Sequence, residues 1–183
     1  MRIIAGRCKG TIITAPKGSN TRPTADKVRG AIFNMLGDVS GLTVLDLFAG
    51  SGALGLEAVS RGAAAALLAD DGVAAAAAIH KNIAKLKLEN VRAVRRDFLL
   101  MLKQAAKKGE RYDLIFIDPP YRMHRVIEPE LGRWLPRVIA AGGRVIVESD
   151  SREEVSLPFE LITEKVYGDT RIRIFTSQPN QID

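Results

Sequence analysis

Residues 115–121 read Ile-Phe-Ile-Asp-Pro-Pro-Tyr. A run of β-branched and aromatic residues stops abruptly at an acid, two prolines and a ring, the mark of a buried strand that ends in a rigid turn. These residue types together suit one kind of chemistry. An exocyclic amine on a nucleobase is a poor nucleophile because its lone pair is delocalised into the ring. Two acceptors aimed at its N–H bonds draw the nitrogen towards a tetrahedral shape and free the pair for in-line attack on an activated methyl group. The Asp118 carboxylate is one acceptor. The Pro119 carbonyl is the second, held ready because Pro119 and Pro120 fix two successive φ angles. Tyr121 offers a face on which a flipped base can stack, a contact of order 1–3 kcal/mol. Asp118 can also take the released proton. The plainer alternative is a proline turn with Tyr121 packed on the surface.

A second group precedes it. Residues 44–55, Val-Leu-Asp-Leu-Phe-Ala-Gly-Ser-Gly-Ala-Leu-Gly, follow a strand pattern and open a helix pattern. Gly50, Gly52 and Gly55 fit G-x-G-x-x-G, which permits a tight turn and close backbone approach to a ligand. Asp70 ends the next strand 20 residues after Gly50, where it can accept from ribose hydroxyls. This much fits a dinucleotide or another adenosine cofactor. Three details favour S-adenosylmethionine, with S-adenosylhomocysteine as product. Asp46, at the end of the first strand, can engage the ammonium-bearing end that a pyrophosphate cofactor lacks. Asp97, after the third strand, can accept from an adenine amine while Phe98 packs on the ring. Its simpler role is a helix N-cap beside Arg95 and Arg96. Finally, an Asp-Pro-Pro-Tyr turn has no part in hydride transfer. Phe48 and Ser51 lie within the same turn, and Asp71 competes with Asp70 for the ribose.

Both groups require strands that end at one edge. Apolar and amphipathic runs predict strands near 43–47, 64–69, 91–95, 112–118 and 143–148, and helices near 53–61, 72–87, 98–107 and 126–135. Pro129 is expected in the first turn of the last helix. Such alternation implies an α/β fold with a parallel sheet covered on both faces. The tail differs: 158–166 and 171–176 read as two strands joined across Gly168-Asp169-Thr170, adding an antiparallel hairpin. At the other end, 2–5 and 11–14 predict a hairpin whose loop, Gly6 to Gly10, carries Arg7 and Lys9. A helix then starts at Arg22-Pro23-Thr24, with Thr24 as its N-cap and Val28, Ala31, Ile32, Met35 and Leu36 facing the core. Residues 1–41 are thus expected as a basic extension and 42–183 as the catalytic domain.

The 183 residues suffice for one domain with a real core. The first 30 residues hold seven basic side chains against Asp26 alone, which accounts for the whole net charge of +6. A basic block on an otherwise neutral body suggests a surface for phosphate backbone. Arg2, Arg7, Lys9, Arg22 and Arg29 are the candidate contacts, and Arg122, beside Tyr121, could neutralise substrate phosphate. Cys8 is the single cysteine, so a reducing cytoplasm is expected. No apolar run approaches the roughly 20 residues of a membrane span, and His80 and His124 are too scattered to suggest a metal. A non-catalytic nucleic-acid-binding protein and a dinucleotide-dependent oxidoreductase are weaker readings, since both leave Asp118 to Tyr121 unexplained.

These motifs resemble those of class I S-adenosylmethionine-dependent methyltransferases acting on exocyclic amines. Within that group the chain is most similar to the bacterial 16S ribosomal RNA guanine-N2 methyltransferase family. The resemblance runs through residues 2–6, 21–29, 33–34, 45–55, 118–121 and 167–171. It implies a Rossmann-like fold with a seven-stranded, mostly parallel sheet, a C-terminal antiparallel hairpin and a small N-terminal hairpin and helix. It further implies a pocket for S-adenosylmethionine lined by Asp46, Gly50, Gly52, Asp70 and Asp97, catalysis at Asp118 to Tyr121, and Arg22, Pro23 and Thr24 beside the active site. The substrate would be a guanine of 16S ribosomal RNA in an assembled or assembling small subunit, and the protein a monomer. The Asp-Pro-Pro-Tyr turn alone also fits adenine-N6 methylation of DNA or RNA. The basic N-terminal segment narrows the choice.

Overall fold

From Thr43 onward, strands rich in Val, Ile and Leu alternate with helices that are apolar on one side, and they assemble into one sheet. The computed structural model describes residues 1–16, 23–120 and 123–178. Its strands are β1 (Thr43–Asp46), β2 (Ala65–Asp70), β3 (Val91–Arg95), β4 (Tyr112–Ile117), β5 (Ile139–Asp150), β6 (Glu160–Tyr167) and β7 (Thr170–Thr176). Their order is β3-β2-β1-β4-β5-β7-β6. The first five run parallel, and β7 is antiparallel to both β5 and β6. The order reverses at β1, so a crevice opens between the carboxyl ends of β1 and β4, the usual ligand position in such sheets.

Alternation along the strands sorts the core into two layers. Val44, Leu68, Leu114, Phe116 and Ile146 pack on one face with α1 (Pro23–Leu36), α2 (Ala53–Ser60) and α3 (Val73–Leu86). Leu45, Ile115, Ile117, Val145 and Val147 pack on the other with α4 (Phe98–Lys108) and α5 (His124–Trp134). Each fully buried Leu, Ile or Phe contributes roughly 1.5–3 kcal/mol, and strands buried on both faces account for their near-continuous apolar sequence.

The predicted seven-stranded α/β sheet therefore forms, and four local expectations change. The N-terminal hairpin is reduced to one antiparallel bridge, Arg2 to Ile12. Backbone donors that would have extended it go to α2 instead. Ile4 and Ala5 N–H donate to the Glu57 carboxylate at 2.7 and 2.9 Å, Arg7 N–H to the Ser60 carbonyl at 2.8 Å, and Cys8 N–H to Ser60 Oγ at 3.0 Å. Gly6 makes this approach possible: its φ is +78°, and a Cβ there would sit 1.8 Å from the Ser60 carbonyl oxygen. Helix α1 begins at Pro23, so Thr24 lies in the first turn and not before it. Helix α5 begins at His124, which places Pro129 inside it, and the buried Ile127 and Leu131 hold the helix despite the missing N–H. Strand β5 is longer than expected at both ends: Ile139 pairs Tyr112 of β4 ahead of a register shift, and Ser149 and Asp150 pair Arg171 and Thr170 of β7.

The N-terminal segment shares the main core. Ile3 and Ile13 are buried in the same layer as Phe33 and Val44. Asn82 of α3, also buried, donates to the carbonyls of Thr14 and Ser51 and accepts from Thr14 N–H, tying this segment to the turn after β1.

Candidate active site

The turn after β1 is shaped by its glycines. Gly50 and Gly52 have φ of +55° and +81°, values that side chains rarely adopt. A Cβ at Gly50 would meet nothing within 4 Å, so this residue faces open space. Gly55 does different work. A Cβ there would come within 2.1 Å of Leu68 Cδ2, so glycine lets α2 lie against β2 without displacing Leu68. Asp70 closes the turn from the side: Oδ2 accepts from Gly50 N–H at 2.8 Å and Oδ1 from Gly72 N–H at 2.9 Å. Asp71 is exposed. The open choice between the two acids thus meets a clear difference, since only Asp70 grips the glycine turn.

Asp46 is 1% exposed. Its Oδ2 accepts a long bond, 3.3 Å, from Gly55 N–H, and its Oδ1 is buried without a partner. Burial pushes the carboxyl up to about 7 against the bond from Gly55, and the nearby Asp70 charge pushes the same way as burial. A buried acceptor of this kind calls for a cationic or N–H-bearing ligand. Farther along the edge, Phe48 and Phe98 stack in a tilted pair with centroids 5.4 Å apart. Asp97 caps α4 through Oδ1, which accepts from Leu99 and Leu100 N–H. Its second oxygen stays available, so capping and a ligand contact are compatible. Ser51 is buried and its hydroxyl donates to Met1 Sδ at 3.3 Å, which makes its side chain a brace for the turn.

Asp118 follows β4 at the same edge. Water reaches it, and Pro119 behind it is buried. Crowding by protein raises its carboxyl well above the usual range, and the Glu148 and Asp46 carboxyls add repulsion. Its open position tempers the first cause; the two like charges remain. The Pro120 carbonyl accepts from Met123 N–H at 3.2 Å, linking the turn to α5. Tyr121 and Arg122 lie outside the described residues, as does Arg22; Pro23 and Thr24 are placed by backbone only. Helix α1 bears on that edge through its direction. Near its end, the Leu36 carbonyl accepts from Arg144 at the level of Leu114 in the sheet, and Phe33 packs on Phe116 above it. The helix backbone therefore climbs from Leu36 towards the carboxyl edge, with its N-terminal end on that side.

The expected RNA contacts separate into two kinds. Arg2, Arg7 and Lys9 are exposed. Arg7 and Lys9 sit at the end of α2 and beside Asn90, at the amino edge of the sheet; the 8 residues of α2 place them about 12 Å or more from the glycine turn. Arg29 is corrected. It is 3% exposed, bonds the Arg2 carbonyl and Asp26, and lies 3.7 Å from Glu57, so its charge is neutralised inside. Two residues that sequence reasoning had not assigned to these clusters emerge: Glu57, which clamps the N-terminal segment, and Glu148 at the carboxylate edge. Each shows its role only beside residues distant in sequence.

An order-reversing parallel sheet with an antiparallel C-terminal hairpin, a glycine turn and acids at successive strand ends defines a class I S-adenosylmethionine-dependent methyltransferase. The unpartnered Asp46 oxygen, the open space at Gly50 and the acid pair Asp70 and Asp97 fit that cofactor. Among the described residues no cluster of His, Cys, Asp or Glu is arranged to hold a metal, and no helix is long and apolar enough to cross a membrane. The chain belongs to the family described as "Conserved hypothetical protein 95", whose model matches residues 1–176. It is 36% identical over 185 residues to the ribosomal RNA small subunit methyltransferase D of Escherichia coli K12, covering 96% of this chain and 89% of that one. It is equally identical to a putative rRNA methyltransferase of Bacillus subtilis, over 96% and 98% of the two chains. A solved putative methyltransferase of Escherichia coli superposes with a TM-score of 0.83 at 35% identity, over 97% and 98%.

Proposed function

We propose that this protein transfers a methyl group from S-adenosylmethionine to the exocyclic N2 amine of a guanine in 16S ribosomal RNA. The observation that carries the reading is the placement of Asp118-Pro119 at the end of β4, one strand from Asp46 and its buried, unpartnered oxygen. The cofactor supplies a methyl group already activated by a positive sulfur. Asp46 would meet its ammonium end, Asp70 its ribose, and Asp97 with Phe48 and Phe98 its adenine; Gly50, Ser51 and Gly52 would form the backbone cradle. Asp118 and the Pro119 carbonyl accept from the two N–H bonds of the target amine, and Tyr121 stacks on the flipped base. With S-adenosylmethionine bound, the freed nitrogen lone pair would take up the methyl carbon, and sulfur would keep the carbon–sulfur electron pair. The amine proton then passes to Asp118, whose raised affinity for protons suits that step.

Arg2, Arg22, Pro23, Thr24 and Arg122 would meet RNA near the target. Arg7 and Lys9 would hold phosphates farther along. In this reading residues 1–41 are the RNA-binding part of the chain and 42–183 the catalytic part. The protein would act as a cytoplasmic monomer on an assembled or assembling small subunit. Support comes from the small-subunit enzymes to which the chain is similar and from the exposed basic residues of its first segment.

The test is transfer of labelled methyl to naked ribosomal RNA, assembled small subunits and DNA in parallel, followed by digestion to nucleosides. N2-methylguanosine from small subunits is the expected product. N6-methyladenosine would replace this reading with the adenine alternative.

A further inference from the structure

The chemistry above leaves Glu148 without a task. Strands β4 and β5 run parallel with Ile117 opposite Val147; Asp118 is the first residue past β4, Glu148 is the next along β5, and the two carboxyls are near enough to repel. Both share the face of Phe116 and Ile146, which is also the face of Val44 and hence of Asp46. Three carboxylates, at or just past the ends of three neighbouring strands, thus gather at one edge, where Asp118 feels the charge of both others. No described residue donates a hydrogen bond to the side chain of Asp118 or Glu148, and the third acid, Asp46, keeps a buried oxygen without a partner. Like charges gathered at one sheet edge repel one another, and donors that arrive with a ligand relieve that repulsion. The cationic cofactor accounts for Asp46. Two adjacent acceptors remain for the base.

The Watson–Crick edge of guanine offers two adjacent donors, N1–H and N2–H. Adenine offers a donor at N6 beside an unprotonated N1, which would face a carboxylate acceptor to acceptor. We propose that Glu148 accepts from N1–H of the target guanine while Asp118 accepts from N2–H, and that this pairing makes the site choose guanine over adenine. The inference rests on the guanine-N2 reading and deepens it. Discrimination comes as much from the mismatch imposed on adenine as from the bond made to guanine.

The test replaces the target guanine, first mapped by nucleoside analysis, with 2-aminopurine in reconstituted small subunits. That base keeps the amine and lacks N1–H. Wild-type protein is expected to methylate guanine with a kcat/KM about tenfold or more above that for 2-aminopurine. Glu148→Gln, whose amide can donate to the bare N1, is expected to shift the ratio at least tenfold towards 2-aminopurine. Glu148→Ala is expected to lower the guanine rate and flatten the preference. Because each ratio is measured within one preparation, a partly folded variant does not distort it, and calorimetry with S-adenosylmethionine alone is expected to show unchanged affinity. A ratio that stays at the wild-type value while both rates fall together would overturn the assignment. Absence of N2-methylguanosine from the wild-type reaction is a separate result, which removes the guanine-N2 reading before any variant is compared.

Discussion

Two buried carboxylates meet α2, Glu57 from within the helix and Asp46 from the end of β1 through Gly55 N–H, and they are treated in opposite ways. Glu57, fully buried, is saturated: Ile4 and Ala5 N–H, Arg61 Nε at 2.7 Å and the Arg29 guanidinium all converge on it. Asp46, equally hidden, holds one long bond from Gly55 and leaves an oxygen bare. The first arrangement is a structural clamp, in which donors from three chain segments offset the cost of burying a charge. The second keeps that cost uncompensated until a ligand arrives, and Asp118 and Glu148 add like charge beside it along the sheet edge. A saturated acid holds this molecule together, and a starved one marks where it works.

The contrast can be broken in several ways. The largest effect is expected from Asp118→Ala: loss of methyl transfer by a thousandfold or more, about 4 kcal/mol of barrier, with cofactor affinity in calorimetry nearly unchanged. Equal loss of binding and transfer would remove Asp118 from its assigned role. Next comes Glu57→Ala, which strands Arg29 and two backbone N–H groups. Urea unfolding is expected to show about 3–5 kcal/mol of destabilisation, with normal cofactor affinity in the fraction that remains folded. Asp46→Asn is expected to do the reverse, weakening the cofactor tenfold or more while raising thermal stability. The sign follows from linkage. The native carboxyl titrates near 7 against 3.8 when unfolded, so the folded state binds more protons between these values and loses stability as pH rises through them. The variant should therefore melt higher than wild type at pH 8, by an amount of order 2–4 kcal/mol, and the advantage should shrink at pH 5. A variant no more stable at pH 8 would show that Asp46 is satisfied after all.

The smallest effect concerns the amino edge. Arg7→Glu with Lys9→Glu is expected to weaken RNA binding about tenfold at moderate salt and to flatten the salt dependence by one or two phosphate contacts. Methyl transfer at saturating RNA should be unaltered, because the loop lies at the opposite end of α2 from the glycine turn. A fall in that saturating rate would place the loop at the target base.

Much of this was legible in the chain because its signals are local. Glycine spacing after an apolar strand, an acid at the end of the next strand, and a proline pair after a run of Ile and Phe each reflect the backbone freedom or stiffness of a few consecutive residues. Strand and helix periodicity then implied the parallel sheet and its terminal hairpin. Local reading failed where partners lie far apart. Arg29 counts as one more positive charge in a basic segment, yet Glu57, 28 positions on, draws it inside. The hairpin pattern of residues 2–14 was genuine, but α2 competed for its N–H groups and took those of Ile4, Ala5, Arg7 and Cys8.

The amino-acid sequence by itself thus determined the fold class, the glycine turn and the Asp-Pro-Pro motif, since each rests on intrinsic conformational preference. Only the tertiary structure decided which acids are satisfied and which are left bare. That depends on strand order and register: β1, β4 and β5 become neighbours through the crossovers of the sheet, and Asp46, Asp118 and Glu148 share one face because their registers match. A carboxylate's role is set by the donors that surround it, and those donors are assembled by the fold.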